Sequence, residues 1–376
     1  MKLFQAIAIL AFFQGVCSIP ISEVQEKASQ GLRLLQLGDD LEPVWKTEEE
    51  KFDLLEQNVG FFDVTETYEL EQSLGPIIKS KLVTAAAFPS PSHQSDVTPL
   101  LASLDTTQQA TWLAALTAFN NRYYTQTSGA DAAKFIQTTL GDFITASGRT
   151  DVSVSPFAHT WVQSSTILKF AASVDPDAPV TILGAHMDSI QGRSATARAP
   201  GADDDGTGSV NLIDVARVLI QSGFVPSTPL EFHWYAAEEV GLLGSQDIAV
   251  KYKADGVEVK GMLQCDMTGY TRPGAAEVMG LVRDFTDPAV SDFVSQLAET
   301  YSRIRTVNTT CGYACSDHGS WTRQGYPSAF NFETPFGSHN PAIHTANDTV
   351  DAPGFSWEHS VEFAKVVLGF AYELTV

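Results

Sequence analysis

Two histidines and a run of carboxylates, spread over about 160 residues, are the residues of this chain best suited to chemistry. They occur as His186-Met187-Asp188, Ala202-Asp203-Asp204-Asp205-Gly206, Glu238-Glu239, Cys265-Asp266 and Ile343-His344. Catalytic zinc takes imidazole nitrogen and carboxylate oxygen and keeps one position open for water. Two such ions can share a bridging carboxylate and a bridging water. The residue types therefore point to metal-assisted hydrolysis. Asp188 lies two residues from His186, on the same face of extended backbone, where a carboxylate sets the tautomer of a ligating imidazole. Three successive acids repel one another unless a cation balances them, which favours a bridging ligand within Asp203–Asp205. In Glu238-Glu239, neighbouring side chains point different ways, so one can bind metal while the other moves a proton. The apolar flanks of that pair, Tyr235-Ala236-Ala237 and Val240 to Leu243, argue against two solvated surface acids.

Each of these groups must be carried by an element, and the pattern supplies them. Nearly all-apolar segments end just before the polar residues: 180–185 before His186, 230–236 before Glu238, and 262–265 before Asp266. Ligands of open α/β sheets bind where strands finish. Further strands are expected at 166–172, 278–282 and 328–332. Helices are expected at 107–120, 130–146, 208–222, 242–252, 289–302 and 361–372. The fold class is α/β, with a central mixed, mostly parallel sheet covered by helices on both faces.

The chain has 376 residues and a net charge of −22, which argues against nucleic acid or an anionic membrane as partner. Residues 1–18 read as a secretory signal, with Lys2 ahead of a short apolar stretch, so the expected location is extracellular. Residues 19–75 carry 14 Asp/Glu against 4 Lys/Arg and no histidine. Short helices are expected there at 31–37 and 48–55. This segment reads as a propeptide over 19–87, ending at a small-residue and proline-rich seam, with the peptidase domain over 88–376. Cys311 and Cys315 read as a small-loop disulfide, and Cys265 as a buried free thiol. Asn308, in a polar loop, and Asn347, close to His344, carry glycosylation sequons. Ser316-Asp317-His318 is not read as a triad, because three adjacent residues rarely converge. His318 is expected to hydrogen-bond internally. His93, His159, His233, His339 and His359 have no comparable case as ligands.

Taken together, His186-Met187-Asp188-Ser189, Pro200 to Asp205, Ala236 to Leu242, Asp266-Met267-Thr268, Cys311 to His318 and Ile343-His344-Thr345 resemble the co-catalytic di-zinc aminopeptidases of peptidase clan MH. The likeness, over about 88–376, is above all to the fungal secreted leucine aminopeptidases. The resemblance implies two zinc ions per chain, with His186 and Asp266 on one, Glu239 and His344 on the other, and Asp204 bridging. It implies Glu238 as general base. It places Tyr313 and the Cys311–Cys315 loop beside the substrate, and Met267, Phe330, Phe332 and Phe336 in an apolar pocket for the N-terminal side chain. His339 departs from it, standing where an aromatic is expected. The implied activity is removal of leucine and other hydrophobic N-terminal residues from peptides. The implied state is a monomer whose propeptide serves as inhibitor or folding aid. Two other readings share the architecture: a single-zinc glutaminyl cyclase and a di-zinc carboxypeptidase. Only 77 residues separate Asp266 from His344, which leaves little room for the extra domain such carboxypeptidases usually insert. A non-catalytic binding domain is disfavoured by the presence of Glu238.

Overall fold

The computed structural model describes residues 19–38, 41–57, 59–75 and 88–376. The expected signal segment, residues 1–18, and residues 76–87, which include the start of the seam at 84–92, lie outside the described residues.

A small N-terminal unit comes first. It contains α1 (Ile21–Ser29), β1 (Leu32–Gln36), β2 (Val44–Thr47), α2 (Glu48–Glu56), β3 (Phe62–Asp63) and α3 (Tyr68–Leu74). Its strands form an antiparallel sheet in the order β2-β1-β3. The expected helix at 31–37 is thus a strand. Its leucine spacing suits either period, and tertiary pairing decides: Gly31 (φ 81°) turns the chain out of α1, and β1 gains partners on both edges. The expected helix at 48–55 forms as α2, started by a capping box in which Thr47 and Glu50 satisfy each other's backbone N–H. The unit has a small core of Val24, Leu34, Phe62, Val64 and Tyr68, closed by Leu242 and Ala314 of the larger unit.

The larger unit contains α4 (Gln94–Leu101), α5 (Thr106–Ala118), α6 (Thr127–Ser147), β4 (Val152–Phe157), β5 (Ser165–Phe170), β6 (Val180–His186) and α7 (Gly208–Gln221). It continues through β7 (Leu230–Tyr235), α8 (Leu243–Ala254), β8 (Val259–Cys265), β9 (Met279–Val282), α9 (Pro288–Tyr301), β10 (Thr306–Thr309), α10 (His318–Arg323), β11 (Ser328–Phe332) and α11 (Trp357–Thr375). Eight strands form one mixed sheet in the order β10-β9-β11-β8-β6-β7-β5-β4. Its centre, β11-β8-β6-β7, is parallel throughout. The strand β6 is buried at every position, as a parallel strand covered on both faces must be. Leu183, Ala185, Phe232, Trp234 and Leu263 join the core on the side of α7, α9 and α11. Ile182, Tyr235 and Met262 face the other way, towards residues of α8 and α10. The strand period of two produces this split.

Cys311 and Cys315 form a disulfide, and Cys265 is a buried free thiol, both as expected. Asn308 and Asn347 are exposed. Asn308 lies on the edge strand β10 rather than in a loop, because parallel pairing with β9 extends the chain there. No described helix is long and apolar enough to cross a membrane.

Candidate metal centre

Three adjacent parallel strands, β8, β6 and β7, deliver their polar residues to one edge of the sheet. His186 ends β6, Asp266 follows β8, and Glu238 and Glu239 follow β7. The Asp203–Asp205 turn enters from above α7, and His344 from the loop after β11. The structure groups His186, Asp204 and Asp266 in one cluster, and Asp204, Glu239 and His344 in a second. Asp204 belongs to both. Its Oδ1 lies 3.1 Å from His186 Nε2, and its Oδ2 lies 3.1 Å from His344 Nε2. His186 Nε2 is 3.4 Å from Asp266 Oδ1, and His344 Nε2 is 2.8 Å from Glu239 Oε2.

These residues fit two metal ions. Ligand atoms held about 2 Å from a shared zinc lie roughly 3–4 Å from one another. Within each cluster all candidate ligand atoms lie within 4.8 Å. Asp266 Oδ1 is buried and has no hydrogen-bond partner. A buried carboxylate oxygen left unpaired is costly, and a cation beside it removes the cost.

The three acids of the triplet do different work. Asp204 faces both histidines. Asp205 turns back into the protein and accepts the N–H groups of His186 (3.1 Å), Gly208 (2.8 Å) and Met267 (3.1 Å). Asp203 accepts from Gly269 N (2.8 Å) and Asn340 Nδ2 (3.0 Å). The Asp204–Asp205 peptide is cis. Asp348 accepts the N–H groups of Asp203 and Asp204. Asp188 approaches His186 Nδ1 at 3.5 Å and also accepts the N–H groups of Glu238 (3.0 Å) and Glu239 (3.2 Å). It therefore touches both the imidazole and the backbone of the glutamate pair. Ala237, Met267 and His344, each next to or within the cluster, have φ of 57°, 54° and 55°. Non-glycine residues in this region are strained and concentrate at functional sites.

Burial raises Glu238 well above the usual carboxylate range, helped by the nearby charges of Asp317, Asp266 and Glu239 and opposed by His186. Burial and the charge of Asp204 push Glu239 up to about 7, against the pull of His344. For Asp204, burial is outweighed by hydrogen bonds from both histidines, and its pKa falls well below normal.

A cavity of about 720 Å³ opens onto Asp204, Glu238, Glu239, Asp266 and His344. Met267, Phe330, Phe332, Phe336, His339 and Ile343 line one side, with Tyr313 and the Cys311–Cys315 loop beside them. All the pocket residues expected from the sequence are therefore together. Burial pushes Tyr313 up to about 12, so its phenol stays protonated. The N-terminal unit lines the remaining wall with Leu37, Leu55, Val59, Gly60 and Phe61. Gly60 packs so closely that an added Cβ would lie 1.9 Å from the Tyr313 ring.

Ser316, Asp317 and His318 do not converge. Ser316 Oγ donates to Asp266 Oδ2 at 2.6 Å, while Asp317 accepts from Gln264 Nε2 at 3.0 Å. The expectation of internal hydrogen bonds for His318 fails, since neither ring nitrogen has a partner. The ring stacks on Phe330 at 4.9 Å, and burial pushes its pKa down to about 3. Arg122 was not singled out by the sequence. It is buried and donates to the carbonyls of Met187 (2.7 Å), Pro200 and Gly201 (2.8 Å). It thus ties the His186 loop to the triplet turn and brings a positive charge to the acids. Its sequence context, Asn121-Arg122-Tyr123 after a helix, carries no signal for this role.

Residues 167–371 match peptidase family M28. A leucine aminopeptidase 1 of Coccidioides posadasii is 39% identical over 98% of this chain and 97% of its own length. Among solved structures, Legionella pneumophila LapA aminopeptidase superposes with a TM-score of 0.80 at 30% identity, covering 92% of this chain and 98% of LapA. A glutaminyl cyclase of Tannerella forsythia shares the fold, with a TM-score of 0.56 at 17% identity, over 72% of this chain and 99% of its own. The chain belongs to peptidase family M28.

Proposed function

We propose that this chain is an extracellular di-zinc aminopeptidase that removes leucine and other hydrophobic residues from peptide N-termini. The observation that carries the reading is the pair of ligand clusters joined by Asp204, with Glu238 beside them at one cavity. His186 and Asp266 would hold one ion, Glu239 and His344 the other, with Asp204 as a ligand common to both. Zinc held by these residues would supply Lewis-acid polarisation of the scissile carbonyl and a water activated near neutral pH. Glu238 takes the proton of the attacking water and delivers it to the departing amine. The acids around the cavity receive the free α-ammonium group, and the aromatic wall of Phe330, Phe332 and Phe336 receives the side chain. Asp188 keeps the His186 ring and the Glu238-Glu239 backbone in register.

Residues 19–87 act as a propeptide, whose Leu37, Leu55, Val59, Gly60 and Phe61 cover the cleft. Gly60 against Tyr313 supports this, as do the bonds Asp63 N–H to Gly241 O (3.1 Å) and Gln246 Nε2 to Asp63 O (3.1 Å). Arg323 pairs with Glu71 at 2.9 Å and anchors the unit at its other end. The secreted chain is a monomer, glycosylated at Asn308, with Asn347 incompletely occupied.

Hydrolysis of a leucyl-anilide, measured with and without chelator and with zinc counted per chain, tests the reading. Activity that vanishes on chelation, returns with zinc and tracks two ions per chain is expected. One ion per chain, with cyclisation of N-terminal glutamine and no leucine release, overturns it in favour of the cyclase. The presence of both clusters, joined at Asp204, is the feature that favours the peptidase over a single-zinc cyclase.

A further inference from the structure

A chain of hydrogen bonds beside the metal centre is left unused by the chemistry above. Asp247 Oδ2, on α8, lies 2.7 Å from His159 Nδ1. His159 Nε2 lies 2.7 Å from Ser165 Oγ, at the start of β5. Acid, imidazole and hydroxyl are connected in the order found in serine hydrolases. No substrate can reach this hydroxyl, because Ser165 and the His159 side chain are both 0% exposed. What Ser165 Oγ meets is backbone: it accepts the Ala236 N–H at 3.0 Å.

That backbone leads directly to the glutamate pair. The Ala236 carbonyl accepts the N–H of Gly244 at 3.1 Å, so this residue is held on both sides. An added Cβ at Gly244 would lie 2.2 Å from Ala236 O and 3.0 Å from Ser165 Oγ, so the clamp has no slack. Two residues on, Asp188 takes the N–H groups of Glu238 and Glu239. The turn between these anchors contains Ala237 at φ 57°. The donor count closes in one direction. With Nδ1–H donating to Asp247, Nε2 is left to accept the Ser165 O–H, and the remaining Ser165 lone pairs face the Ala236 N–H. The Trp161 indole stacks on the His159 ring at 4.3 Å and 9°, which fixes the plane of the imidazole.

We infer that Asp247, His159 and Ser165 are positioning residues, a relay that fixes the Ala236 backbone and so aims the Glu238 carboxylate at the reacting water. The inference rests on Glu238 as general base. A misplacement of about 1 Å in a catalytic group can cost as much as a hundredfold in rate. Groups outside the ligand shell typically contribute about 10–100-fold.

The test compares Ser165→Ala, Asp247→Ala, the double variant and Glu238→Gln, in the full chain as isolated from an expressing host. For each, kcat and KM on a leucyl-anilide, metal content and thermal denaturation are measured. Ser165→Ala should lower kcat about 10–100-fold, with KM within about twofold and metal content unchanged. Asp247→Ala should lose about 3–10-fold in kcat, and the double variant should lose no more than Ser165→Ala, because both break one chain. A role confined to stability would shift the denaturation midpoint and leave kcat alone. A folded Ser165→Ala with unchanged kcat, or additive losses in the double variant, overturns the relay. If Ser165→Ala does not fold, Asp247→Ala decides, since that side chain is 32% exposed and tolerates truncation. An unchanged kcat there also overturns the relay. A Glu238→Gln variant that still turns over removes the base assignment and the relay with it. An inactive Glu238→Gln beside a normal Ser165→Ala removes the relay alone.

Discussion

His186 and His344 touch the two oxygens of one carboxylate, yet the protein holds them in different ways. The His186 side chain is 1% exposed, at the end of a strand paired on both edges. Its N–H donates to Asp205, and its carbonyl accepts from Ser209 Oγ at 2.7 Å. The His344 side chain is 42% exposed, on a loop, at φ 55°. Its carbonyl accepts from Gly192 N at 3.2 Å. Its ring is placed mainly by Asp204 and Glu239 themselves. One half of the centre is therefore built by the sheet before metal arrives, and the other is completed by its ligands. Rigid elements give the more exact sites, and loops the more adaptable ones.

The largest effect should fall on the residue that serves both halves without holding either ion. Glu238→Gln should lower kcat by roughly 10³-fold, within the range general base catalysis supplies, with metal content unchanged. Loss of metal in that variant would make Glu238 a ligand and break the division of roles. Truncating the histidines comes next and sharpens the comparison. His186→Ala should leave buried carboxylate oxygens unpaired and cost about 1–3 kcal/mol of stability by denaturant melting. His344→Ala, which removes a side chain 42% exposed, should cost the chelated protein less stability than His186→Ala, while metal content before chelation falls by one ion. Equal destabilisation in the two variants would mean that the sheet does not preorganise the buried half.

Ser316→Ala should act on one half only. Ser316 steadies Asp266 through a 2.6 Å bond, so its loss should weaken the tighter of two metal-binding steps by about 10–100-fold. Competition with a chelator reads this, and an effect on the weaker step instead would reverse the assignment. The smallest effect is on the pH dependence of the chelated protein. Folding raises Glu239 to about 7, Asp317 to about 7 and Asp348 to about 8, mainly through burial. The folded state then binds more protons than the unfolded one between about pH 4 and 8. Stability is present below the unfolded values and lost as pH rises through the folded ones. His186 and His344 are also raised, by their carboxylate neighbours against burial, and add loss in the same direction above about pH 6.5. The melting midpoint of chelated protein should therefore fall from pH 4.5 to 8, and zinc should reverse the fall. A rising midpoint would contradict the raised carboxylates.

The two regions of the chain also differed in how far they could be read. In the larger unit, β6 is apolar at nearly every position before His186, β7 and β8 are mostly apolar, and a polar group follows each. That pattern is local and was legible. The N-terminal unit has a weaker pattern, and there Leu32 to Gln36 became a strand because β2 and β3 pair with it. Short elements of the larger unit, such as β4, β10 and α10, were also missed, because their stability comes from neighbours distant in sequence. Arg122 was invisible for the same reason. Nothing near it in sequence says that its guanidinium will reach the carbonyls of Met187, Pro200 and Gly201.

The sequence by itself offered the residues suited to binding metal, the strands that carry them, and an acid triplet from which one member was expected to bridge two ions. Residue type and period are properties of a segment, so they can be read before the chain is folded. Only the tertiary structure decided that Asp203 and Asp205 would turn inward to staple backbone, that Ser316 would steady Asp266, and that Ser165, His159 and Asp247 would line up behind Glu238. Those contacts join residues that the chain leaves far apart, and their partners exist only once β5, β6, β7 and β8 lie side by side.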